Sequence, residues 1–169
     1  MESSNALVTV AAQHSNWTGT RSDSPGKTGK GVVTDCPNDA SMTIANCNTW
    51  AAAGLDGSNV IYVGEVDSNN SIPAWSNKAG DTHKNQFLVT ASNALYNPVG
   101  NTDGNSYATP RAAGAAALVR QKFPNLTGSQ TATTILHTAD DLGATGVDAV
   151  YGHGKLNVGK ALSPVGNLH

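Results

Sequence analysis

Asp103-Gly104-Asn105-Ser106-Tyr107-Ala108-Thr109-Pro110-Arg111-Ala112-Ala113-Gly114-Ala115-Ala116-Ala117-Leu118 is the stretch that decides how this chain is read. A glycine turn presents a serine, and an alanine-rich run with apolar residues at helical spacing follows at once. The pattern predicts a helix from Tyr107 to Phe123, stopped by Pro124. Pro110 is expected within the first turn, where its missing N–H costs little. Gly114 among alanines lowers helix propensity by about 1 kcal/mol, which implies close packing against a neighbour. A serine just ahead of a buried helix feels the positive end of the helix dipole and is surrounded by unpaired N–H donors. That setting suits a nucleophile whose reaction generates an oxyanion.

Outward from this stretch, the remaining elements follow from periodicity and turn chemistry. Ala6 to Ala12 is apolar almost throughout, as in a parallel strand buried on both faces. Val60 to Val66 is a second strand, Asp67-Ser68-Asn69-Asn70 a turn, and Ile72 to Ser76 the start of another extended piece. Phe87 to Ala91 is a third strand. Residues 13–56 are rich in Gly, Ser, Asn and Asp, with weak periodicity only around Met42 to Ala53, and read as a long irregular insertion. Downstream, Thr127-Gly128-Ser129-Gln130 is a capping box that opens a second helix, with Ala132, Ile135 and Leu136 on one face. Lys155 to Val158 reads as a last short strand before a helical turn at Gly159 to Leu162. Together these make one α/β domain over residues 1–169, with a partial parallel sheet and two C-terminal helices.

Composition narrows the function classes. A chain of 169 residues can bury one real core. With 13% charged residues and a net charge of −2, nothing points to nucleic acid or an anionic membrane surface. No stretch approaches the roughly 20 apolar residues of a membrane span. Met1 to Ala12 lacks a basic leading region, so its short apolar run reads as a strand and not as a signal peptide. Cys36 and Cys47 stand ten residues apart. A bridge between them would stabilise by about 3 kcal/mol, and two reduced thiols are the equal alternative. No Cys/His spacing of a metal site is present. Asn101-Thr102-Asp103-Gly104 looks like part of a calcium loop, but the first and twelfth ligand positions fall on Val99 and Pro110.

The segment GNSYATP resembles the serine motif of the subtilisin-like serine peptidases, the subtilases, which reads Gly-Thr-Ser, a variable residue, Ala, a small residue, Pro. Asn105 stands where the family has Thr. The resemblance extends through ALVTVAA, VIYVGEVDSNNSIPAWSNKAGD and AALVRQKFPNLTGSQTATTILHTADDLGATGVDAVYGHGKLNVGKAL, in the manner of subtilases of the bacterial autotransporter type. It implies a truncated subtilisin-like domain with Ser106 at the nucleophile's place. In that family the catalytic Asp and His motifs precede the strand that corresponds to ALVTVAA, and these residues hold no counterpart of them. The oxyanion asparagine follows that strand in the family. Here the sequence reads Ala11-Ala12-Gln13-His14, which puts His14 at the asparagine's place and leaves Asn16 to substitute if the loop shifts by two residues. His14 would then either donate from a ring N–H to the oxyanion or act as general base for Ser106; a loop histidine without a role is the competing reading. The implied site is thus Ser106 and His14, with Gly104, Asn105 and Asn16 around the oxyanion. The resemblance also tilts Cys36 and Cys47 toward a bridge, allows calcium as the one cofactor, and implies a secreted or periplasmic location.

The other ionisable candidates read more plainly. His83 is expected in a solvated loop, His137 at the exposed end of a helix, and His153 at a position that varies in the family. Asp103 before Gly104 is a turn former.

Magnitudes separate the functions. In a subtilisin-type triad, losing the catalytic His costs about 10⁶ in rate and leaves about 10³–10⁴ over water. That residue is too little for a useful peptidase and enough for activated esters or lactones. Two functions follow. One is a serine hydrolase acting through Ser106 on a peptide or, better, a small ester, with a rebuilt or borrowed base. The other is a non-catalytic binding or assembly module. A half-sheet with an open edge associates in water, so both imply a homo-oligomer or a second chain that completes the sheet.

Overall fold

The computed structural model describes residues 6–12, 57–73, 76–91 and 104–163. The long insertion, the weak helix around Met42 to Ala53, Cys36, Cys47, His14, Asn16 and Asp103 lie outside them.

Among the described residues three parallel strands form the sheet: β1 (Val8–Ala11), β2 (Val60–Val66) and β3 (Phe87–Ala91), in that spatial order. Val8 faces Val60 and Val10 faces Tyr62 in one ladder, while Tyr62 faces Phe87 and Val66 faces Ala91 in the other. The central strand is buried along its whole length, as expected of a β-branched run covered on both faces. Successive side chains point to opposite faces. Ile61, Val63 and Leu88 therefore join one apolar cluster, and Val60, Tyr62, Val66, Phe87 and Val89 join the other.

Parallel neighbours need a crossover, and the segment between β2 and β3 supplies it. It starts with the turn at Asp67, whose Oδ1 accepts from the N–H groups of Asn69 and Ser71 at 2.8 and 2.9 Å. Of the extended piece expected at Ile72 to Ser76, the described residues Ile72, Pro73 and Ser76 lie outside the three strands. Helix α1 (Gly80–His83) and a 3₁₀ turn (Lys84–Gln86) then lead into β3.

The first apolar cluster is roofed by α2 (Asn105–Lys122), α3 (Gly128–His137) and α4 (Val158–Leu162), through Ala108, Ala112, Ala116 and Val119 of α2, Ala132, Ile135 and Leu136 of α3, and Ala161 of α4. Alanines along α2 let its axis lie close to the sheet. The capping box at α3 is formed as its sequence implies: Thr127 Oγ1 accepts from the Gln130 N–H at 3.1 Å, and Gln130 Oε1 accepts from the Thr127 N–H at 2.9 Å. The expected last strand shrinks to the bridge at Lys155, which pairs in parallel with Val89 and antiparallel with Asp140. None of the helices among the described residues is long and apolar enough to cross a membrane.

Three expectations about α2 are corrected. It starts at Asn105 and not at Tyr107, so Ser106 is inside the first turn and not ahead of it. Pro110 is consequently the sixth helical residue. The N–H it lacks is the one that would have bonded the Ser106 carbonyl. Gly114 is exposed, and a Cβ added there would meet nothing within 4 Å, so it serves no close contact. Gly114→Ala is therefore expected to stabilise the fold by about 0.5–1 kcal/mol through helix propensity alone. A higher urea midpoint at unchanged slope checks this.

Candidate active site

The nucleophile candidate is set by the local chain. Gly104 has φ 147° and ψ 147°, backbone that a residue with a Cβ rarely adopts, and this lets α2 begin abruptly at the next residue. The Gly104 carbonyl accepts from the N–H groups of Tyr107 and Ala108 at 2.9 and 3.3 Å, closing the first turn. Ser106 is the second residue of an 18-residue helix and is exposed. Its N–H precedes any intrahelical acceptor and lies at the positive end of the dipole. Hydroxyl and donor thus share one solvent-facing spot, the arrangement that stabilises charge developing on an acyl oxygen.

The sheet fixes where that spot lies. Arg111 Nη1 donates to the carbonyl of Ala91, the last residue of β3, at 2.5 Å. The start of α2 therefore sits at the carboxyl ends of the strands, where open α/β sheets hold their ligands. Asn105 is 1% exposed, and its Oδ1 accepts from Ser76 Oγ at 3.1 Å. The neighbouring Asn77 Nδ2 donates to the carbonyl of Ala12, just past the end of β1, at 3.0 Å. Glu65 is fully buried on the helix-facing side of β2, opposite Thr90.

None of the histidines among the described residues is placed to serve Ser106. His83 corrects its expected solvated setting: it is buried with its ring centroid 4.9 Å from that of Tyr62, whose side chain belongs to the sheet face opposite α2. His153 Nε2 lies 3.1 Å from the Asn85 carbonyl, and its N–H donates to the Phe87 carbonyl at the start of β3. The length of β3, four steps of about 3.3 Å, separates that end from the carboxyl end. His137 ends α3, exposed as expected, and stacks on His153 with centroids 5.2 Å apart.

His153 instead reports on stability. Burial holds its imidazole below the usual histidine range, and the stacked His137 adds to this against the opposing Asn85 carbonyl. The folded state thus binds its proton less readily than the unfolded chain does. Stability is expected to be full above about pH 6.5, the unfolded value, and to fall as pH drops from there through the lower folded value. Urea midpoints between pH 7.5 and 5 check the slope, which His153→Asn should flatten.

A model described as the Subtilase family matches residues 4–154, most of the chain. The chain belongs to the subtilases. Subtilisin Savinase of Lederbergia lenta is 28% identical over 173 aligned positions that cover 92% of this chain and 62% of that protein. The autotransporter lipoprotein NalP of Neisseria meningitidis is 45% identical over 60 residues, 36% of this chain and 6% of its own length. The crystal structure of MycP1 from Mycobacterium smegmatis superposes with a TM-score of 0.63 at 20% identity, over 98% of this chain and 43% of that one. This subtilase chain thus spans less than two thirds of each of these proteins. The neighbour's likeness places β1 to β3 and the helices in a subtilisin-like fold, in agreement with the partial α/β domain expected from the sequence. Ser76, Asn77 and the buried Glu65 were missed in the sequence. The only signal for the first two is a small polar pair, Ser-Asn, between Trp75 and Lys78, which any loop offers.

Proposed function

We propose that this subtilase domain is a serine hydrolase whose nucleophile is Ser106 and whose substrates are small activated esters or lactones before peptides. The observation that carries the reading is an exposed serine in the first turn of a long helix at the carboxyl ends of a parallel sheet. Acting without the family's Asp and His, these residues would keep about 10³–10⁴ over water, which serves an ester and not an amide. The base is His14 rebuilt at the exit of β1, with Gly104, Asn105 and Asn16 shaping the turn and the oxyanion site. The family's secreted relatives, NalP by its name an autotransporter lipoprotein, favour an extracellular or periplasmic site of action.

One observation favours a partner as well. Among the described residues β1 has a neighbour on one side only, and the outward face of α2 exposes Tyr107 at 51% and Leu118 at 46%. An open parallel edge is a surface to be covered, as are exposed apolar side chains. A second copy, or a second polypeptide that completes the sheet and brings an Asp and a His, would cover it; in the non-catalytic reading the same surface serves assembly alone.

Initial rates on a p-nitrophenyl ester and on a peptide p-nitroanilide test the proposal. Ester turnover above buffer with no anilide turnover is the expected result. An ester rate equal to buffer overturns it. A sedimentation coefficient of a monomer at all concentrations would remove the second copy as the partner.

A further inference from the structure

We infer that the dipeptide Ser76-Asn77 is a positioning strut that locks the turn carrying Ser106 to the exit of β1; the inference rests on Ser106 being the nucleophile. The strut has two arms. Ser76 Oγ donates to Asn105 Oδ1 at 3.1 Å, and Asn77 Nδ2 donates to the Ala12 carbonyl at 3.0 Å. All four residues are buried: Ser76 is 6% exposed, Asn77 3%, Asn105 1% and Ala12 0%. The bonds join segments 29 and 65 residues apart in sequence. Water cannot replace either at low cost, because a buried acceptor that loses its donor keeps its full desolvation penalty.

Chemistry explains the residue types. Ala12 N–H still donates to the Val63 carbonyl at 2.9 Å, but the ladder of β1 ends at Ala11, so the Ala12 carbonyl faces the interior beyond the strand. An amide N–H₂ on a short side chain fits that acceptor. Asn105 stands where the family motif has Thr. Its carbonyl oxygen reaches one atom farther than a threonine hydroxyl and presents a pure acceptor, which obliges the Ser76 hydroxyl to donate. Consecutive side chains on one short segment thus hold two parts of the active site at a fixed separation: the first turn of α2, with Ser106, and the residue from which Gln13 and His14 continue. Neither Ser76 nor Asn77 touches substrate in this arrangement. Their action is on where the hydroxyl and its base sit, and a loss of about an ångström in such placement costs on the order of 10²-fold at most.

The test uses the full chain and a fluorophosphonate that forms an adduct with a reactive serine. Ser76→Ala is expected to slow adduct formation about 10-fold, and Ser76→Thr, which keeps the hydroxyl, to restore it to within about 2-fold. Amide exchange of Gly104 to Ala108 is measured on the same proteins and is expected to accelerate in Ser76→Ala alone. Should wild type be labelled and Ser76→Ala be labelled as fast, the strut is refuted while the nucleophile stands. Should wild type form no adduct, the nucleophile reading fails and the positioning role of the strut falls with it, faster exchange in Ser76→Ala then reporting only a structural bond. Asn77→Ala, or Asn77→Ser if that variant does not fold, removes the other arm and is likewise expected to slow adduct formation; an unchanged rate refutes that arm.

Discussion

Ser106→Ala and His14→Ala are each expected to lower ester turnover by about 10²–10⁴, and the double substitution to lower it no further. This is the expected signature of a nucleophile and a general base that work as one unit. A base positioned within hydrogen-bond reach contributes about that factor, and residues acting together are grossly non-additive. The placement of the described histidines sharpens the prediction. His137 and His153 lie at the amino end of β3, and His83 lies on the sheet face away from α2. No compensation from them is available when His14 is lost. Steady-state rates of the three variants on one ester check the pattern. An unchanged rate in His14→Ala removes that residue from the mechanism and moves the base onto a partner.

Gly154→Ala is expected to destabilise the fold by about 4 kcal/mol, the opposite sign from Gly114→Ala. Gly154 has φ 100°, and a Cβ there would lie 2.1 Å from the Asp140 carbonyl oxygen and 2.8 Å from its carbon. Both are backbone atoms, so no side-chain rotation relieves the overlap. The segment that closes β3 must move instead. It then puts at risk the Gly154 and Leu156 bonds to Val89, both at 2.8 Å, and the Asp140–Lys155 pair at 2.7 and 2.8 Å. Left-handed strain of about 1–3 kcal/mol adds to those losses. Urea unfolding of both glycine variants beside wild type measures the contrast, and a midpoint for Gly154→Ala equal to wild type would mean that the close approach to Asp140 is absent in solution.

Much of the architecture was legible because the chain states it locally. β2 and β3 fall on the residues that apolar runs and flanking turns mark out, and Thr127 with Gln130 announces α3 through a reciprocal bond that needs no tertiary partner. The errors share a cause: each depends on what lies across space. α2 was expected two residues late because the dihedrals of Gly104, not a capping side chain, begin it. Gly114 was expected to touch a neighbour, since a glycine in an alanine helix has no local reason to exist; it faces outward. His83 was expected in solvent from its polar neighbours, yet the short helix it ends turns its ring under Tyr62. At the site, the motif around Ser106 was legible in sequence as a resemblance. Its supports were not, because a Ser-Asn pair carries no signal until Asn105 and Ala12 are brought beside it.

The central claim is that the Ser106 hydroxyl is a reactive nucleophile, and direct mapping of a covalent adduct tests it. The full chain is treated with a fluorophosphonate between pH 6 and 9, digested, and sequenced by mass spectrometry. One adduct on the peptide carrying Ser106, absent from Ser106→Ala, is the predicted result. No adduct at any of these pH values, or equal labelling of Ser106→Ala, would contradict it.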